Sequence, residues 1–198
     1  MAATPAPVTT TGRATTPALV AALAGVVAIV MSAAALGGAY ATTRYQIRRS
    51  NPGESFFPST MTFNNYAAFI VFFTLILASL AVGWGVTSLR IGNRRWAGAG
   101  FGIAVLTDLA ALNIMWFIGN GWEAAVNALP WWLHVYALLT IAMIAGVVAL
   151  VSVGLGLARV ITAQANATQP HAALAAAWLQ HGALAVWVIV YLLIFLYK

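Results

Sequence analysis

Five long apolar runs, separated by short polar punctuation, organise the chain. They cover about 18–41, 66–89, 97–119, 131–158 and 172–197. Each has about 20 residues or more, enough to cross a hydrocarbon layer of about 30 Å as a helix. No run alternates apolar with polar, and all far exceed the ~9–11 residues of a transmembrane barrel strand. The pattern predicts an all-α, polytopic membrane helix bundle with five transmembrane helices.

The runs end on basic residues. Arg44, Arg48 and Arg49 follow the first, Arg90, Arg94 and Arg95 the second, and Arg159 the fourth. Residues 1–17 are mostly Ala, Thr and Pro with one Arg, and are expected to form a disordered polar tail. The longest connection is expected over about 42–65, where Asn51-Pro52-Gly53 and Phe57-Pro58 are turn signals. The remainder, 18–198, is then one five-helix transmembrane domain. Ala39-Tyr40-Ala41 has the form of a signal cleavage site, but the apolar run before it exceeds the ~7–15 residues of a signal core. It is read as a span.

Composition sharpens this picture. Of 198 residues, 63% are apolar and 6% charged, against about 25% charged in soluble domains. The net charge of +6 is distributed between spans, which points to membrane orientation rather than nucleic acid. Arg13, Arg90, Arg94, Arg95 and Arg159 fall on one side, and Arg44, Arg48, Arg49 and Lys198 on the other. The five-to-four balance favours an inside amino end and an outside carboxyl end.

The chain has no cysteine. That excludes disulfides, thiolate zinc sites, iron–sulfur clusters, cysteine nucleophiles and a thiolate-bridged dinuclear copper centre. Three histidines, His134, His171 and His181, are too few for a multi-haem or haem–copper subunit. No redox centre is expected in the chain itself. No phosphate loop, dinucleotide fingerprint or metalloprotease histidine pair occurs.

Polar side chains inside the spans are therefore the candidates for chemistry, because each is costly unless paired. Asp108 lies about eleven residues into the third span and His181 about nine into the fifth, at similar depth for parallel helices rising 1.5 Å per residue. They form a candidate buried polar pair. It is either a proton-handling or substrate-contacting couple, or a structural hydrogen bond, which is the more common case. Asn113, about 140° around the helix from Asp108, is expected to make an interhelical hydrogen bond. His134, among Trp131, Trp132 and Tyr136, reads as an interfacial anchor; His171 lies in a loop. Trp96 at one interface, and Trp116, Trp122, Trp131 and Trp132 at the other, form an aromatic belt. Small residues, including the Gly98–Gly102 pair, suit close helix approach in this bundle or toward a partner subunit.

Three stretches carry a family resemblance. Arg90-Ile91-Gly92-Asn93-Arg94-Arg95-Trp96 resembles the Arg-x-Gly…Arg-Arg-Trp linker of bacterial subunit III of the haem–copper cytochrome c oxidases, in its five-span form. Trp131-Trp132-Leu133-His134-Val135 is similar to that family's His-x-x-His-Val. Trp178-Leu179-Gln180-His181 with Trp187 resembles its Trp-His-Phe-x-Asp-x-x-Trp helix. The matching positions are Arg94, Arg95, Trp96, His134, His181 and Trp187.

The departures are chiefly acidic. Trp131 replaces the first His, Leu184 replaces an Asp, and Ala111, Asn113 and Ile114 stand where the third span would carry a carboxylate. Asp108 is expected to replace the lost Asp as the partner of His181. The resemblance implies a cofactor-free accessory subunit of a respiratory oxidase in a bacterial cell membrane. Such a subunit packs on the catalytic subunit, subunit I, and binds phospholipid, with haem and copper in the partner subunits. The missing acids argue for a scaffold over a proton conductor. The family has a relative associated with nitric oxide reductases. A small transporter or stand-alone membrane enzyme using Asp108 and His181 is the alternative of a different class.

Overall fold

A computed structural model describes residues 17–53, 57, 63–121, 132–165 and 170–196. Five helices are present: α1 (Pro17–Ser50), α2 (Asn65–Arg90), α3 (Arg94–Asn120), α4 (Trp132–Ile161) and α5 (His171–Val190). A π-helical turn, Tyr191–Leu196, continues α5. All five helices are long and apolar enough to cross a membrane, so the multi-pass helical bundle stands. Most of the expected tail, along with Trp122, Trp131 and Lys198, lies outside the described residues.

The connection expected over 42–65 is shorter than the hydrophobic pattern indicates, because α1 continues to Ser50. Its 34 residues reach about 51 Å at 1.5 Å each, well beyond the hydrocarbon layer. Polar residues end a membrane span without ending a helix. The extension is also held from the side. Arg44 is only 2% exposed, and its guanidinium carbon lies 5.8 Å from the centre of the Phe57 ring.

α2 and α3 share the most extensive helix contact, α4 packs on α3 and α5, and α5 also packs on α1 and α2. Close approach of α2 and α3 depends on glycine. A Cβ at Gly100 would lie 2.7 Å from the Ala81 carbonyl oxygen and 2.8 Å from Gly85 Cα. The buried Phe101 ring fits between Gly85 and Gly156, at each of which a Cβ would come within 2.9 Å of it. The Gly98–Gly102 pair, read as serving this bundle or a partner subunit, does not make the tight α2–α3 contact: nothing lies within 4 Å of a Cβ at Gly102. The tightly packed glycines face the bundle, whereas Gly102 faces out.

The core divides into two clusters. One holds Leu75, Ala111, Ala149 and Ala183, with Met115 and Trp187. The other holds Ala78, Ala104, Val153 and Ala177, with Phe101 and Val160. On α2, α3 and α5 a buried polar residue, Ser79, Asp108 or Gln180, stands near the changeover. On α4 the half-buried Ser152 stands there, its hydroxyl donating to the Ala149 carbonyl (2.8 Å). The bundle thus has a polar layer midway along its length.

Candidate functional site

The polar layer is the candidate site. Asp108 is 1% exposed and Gln180 0%. Gln180 Nε2 donates to Asp108 Oδ1 (2.9 Å), joining α3 to α5. One residue further along α5, His181 Nδ1 meets the Ser79 hydroxyl on α2. The expected direct Asp108–His181 bond is therefore replaced by two separate ones. Consecutive helical residues point about 100° apart, so the α5 face that presents Gln180 to α3 turns His181 toward α2.

Within the couple, Asp108 Oδ2 and Gln180 Oε1 have no hydrogen-bond partner. Both residues are closed off from the surface, whereas His181 is exposed. Asn113 is also exposed, which corrects its expected interhelical bond. On the helix whose Asp108 face is buried, a residue about 140° away looks outward.

The motif-matching positions mostly serve the bundle. Gly92, with φ +79°, ends α2 in a left-handed turn that a side chain would strain. Asn93 N donates to Ser88 O (2.9 Å) and Gly92 N to Leu89 O (3.0 Å), the Schellman pattern. Asn93 Oδ1 then accepts from Trp96 N (3.3 Å) and caps α3. Arg94 reaches the end of α4: its Nε donates to Val160 O (2.5 Å) and its Nη2 to Ile161 O. Its cation is well placed against the negative end of the helix dipole.

Arg95 is exposed and lines a groove of about 560 Å³ with Arg94, Gly98, Val160 and Ile161. Trp96 lies against Trp84, ring centroids 5.4 Å apart. Trp96 and Trp116 are both exposed and separated by about 30 Å along α3, the spacing of two membrane interfaces. His134 is half-buried near the start of α4. Trp187 is fully buried in the core.

A second groove, of about 300 Å³, runs between α2 and α5. Gly83, Val86 and Arg90 form one wall, and Leu174, Trp178 and His181 the other. Among the described residues, no three His, Asp or Glu side chains gather as metal ligands. The layer can join helices by hydrogen bonds and present one imidazole outward. It brings no two titratable groups into contact.

Sequence reasoning missed Ser79 and Gln180. Gln180 had a signal, a long amide in an apolar run. Ser79 had none, because most span hydroxyls, such as Thr74 and Thr107, bond to their own helix carbonyls. No protein-family model matches the chain, and no curated protein matches it.

Proposed function

We propose that the chain is a cofactor-free accessory subunit of a respiratory haem–copper oxidase, similar to cytochrome c oxidase subunit III. It stabilises the catalytic subunit by helix packing and bound phospholipid. Haem and copper belong to the partner subunits. The setting is a bacterial cell membrane, with the amino end cytoplasmic and the carboxyl end outside.

One observation carries the scaffold reading. Among the described residues, two polar couples tie helices together across the layer, Asp108 with Gln180 and Ser79 with His181, as two separate contacts. Arg94 and Trp187, two of the family-like positions, support it by capping α4 and filling the core. The motif resemblance supplies the oxidase part.

Purification of the tagged chain from its native membrane in mild detergent tests this. Co-purification of subunits containing haem a is the expected result. Co-purification with haem b and nitric oxide reduction would make the chain the accessory subunit of a nitric oxide reductase. A chain that is stable and active alone would overturn the accessory role.

A further inference from the structure

We infer that the α2–α5 groove receives a transmembrane helix of a partner subunit, which brings a hydrogen-bonding side chain to His181 and an acidic side chain to Arg90. The inference rests on the accessory-subunit reading and names the surface through which it acts.

Depth is the first reason. Ser79, the partner of His181, is eleven residues from Arg90 at the end of α2, about 16 Å at 1.5 Å per residue. That is about half of a ~30 Å hydrocarbon layer. His181 is held there by its Nδ1 contact with Ser79, yet it is exposed and lines the groove. Its Nε2 has no hydrogen-bond partner among the described residues. Lipid at this depth offers only hydrocarbon, so an outward ring nitrogen needs a protein donor or acceptor.

Shape and charge agree with a helix. The groove follows the two helix axes from Arg90 to His181. At its side, a Cβ on Gly83 would meet nothing within 4 Å, and Ala177 also lines it. Small residues of this kind let a second backbone approach closely. Arg90 is exposed at the groove's end, and no carboxylate pairs with it among the described residues. An acidic side chain on the incoming helix complements it.

Because the natural chain has no cysteine, single thiols introduced into the full chain can be labelled uniquely. Gly83→Cys and Trp178→Cys, carrying a photoactivatable crosslinker in native membranes, are compared with Leu106→Cys on the exposed side of α3. The expected result is that both groove positions crosslink to one transmembrane segment of one partner. That segment carries a hydrogen-bonding side chain midway and an acid at the Arg90 end, while Leu106→Cys yields lipid adducts. His181→Leu is expected to lower the groove crosslink about tenfold, the size of one interhelical hydrogen bond, and His181→Gln to restore most of it.

Lipid adducts at all three positions, crosslinks to a second copy of the chain, or no effect of His181→Leu would overturn the inference. A groove crosslink to a partner from a complex without haem upholds the groove and overturns the oxidase reading. Co-purified haem subunits with no groove crosslink do the reverse.

Discussion

Gln180 donates its side-chain amide to Asp108 across the α3–α5 interface at 2.9 Å, inside a layer where neither residue touches the surface. The couple leaves one acceptor oxygen on each side chain without a partner.

That arrangement separates three substitutions. Gln180→Leu strips the Asp108 carboxyl of its one side-chain hydrogen bond among the described residues and is expected to cost about 1–3 kcal/mol, the range for an orphaned buried polar group. Asp108→Asn keeps an acceptor for Gln180 Nε2 and adds an N–H donor suited to Gln180 Oε1, so stability stays near that of the natural chain. The Asp108→Leu, Gln180→Leu double variant recovers part of the loss, because no buried polar group is left alone. Thermal unfolding in detergent measures all three. An Asp108→Asn chain as unstable as Gln180→Leu would contradict the pairing.

Gly100 and Gly102 are two residues apart and should behave oppositely. Gly100→Ala puts a methyl group against the α2 backbone at Ala81 and Gly85, where overpacking costs about 1–3 kcal/mol or more. Gly102→Ala points into open space and should leave the melting temperature unchanged or slightly raised. Equal effects would mean that α2 and α3 are not in this register.

Arg94→Ala removes two hydrogen bonds from the last turn of α4. The expected cost is about 1 kcal/mol, reduced by the exposed position of the side chain. Amide exchange near residues 160–165 should rise. Arg94→Lys restores little, because one ammonium does not reproduce a guanidinium fork on two carbonyls. Arg95→Ala, which removes an exposed side chain, should leave exchange there unchanged.

Trp187 and Trp178 share a helix but not an environment. Trp187 is 0% exposed and Trp178 45%. Trp187→Ala is expected to destabilise the isolated chain by about 3–5 kcal/mol. Trp178→Ala should leave isolated stability nearly unchanged. Unfolding of the purified chain in detergent distinguishes the two.

The five spans were legible because a membrane imposes its thickness on every crossing segment. The turn at Gly92 and Asn93 was legible only as a motif. Its reason, a left-handed helix end followed at once by a helix cap, is a matter of backbone geometry. Asp108 and His181 were correctly placed on their helices at comparable depth, but not their partners. Depth follows from counting residues along a helix. Direction depends on how each helix is rotated about its axis, and neighbouring residues differ by about 100°.

By itself, then, the order of residues determined five membrane-crossing helices, an acid-poor interior, and the positions of the few polar groups along each helix. Tertiary packing alone decided that α1 runs on past its apolar run. It decided that Gly85 and Gly100, rather than Gly98 and Gly102, form the close contact. It also decided that Gln180 takes Asp108 while His181 turns to Ser79 and the outer groove. In a chain that is apolar on every face, hydrophobicity carries little information about helix rotation. Shape, at the glycines and Phe101, and hydrogen bonding in the polar layer supply it.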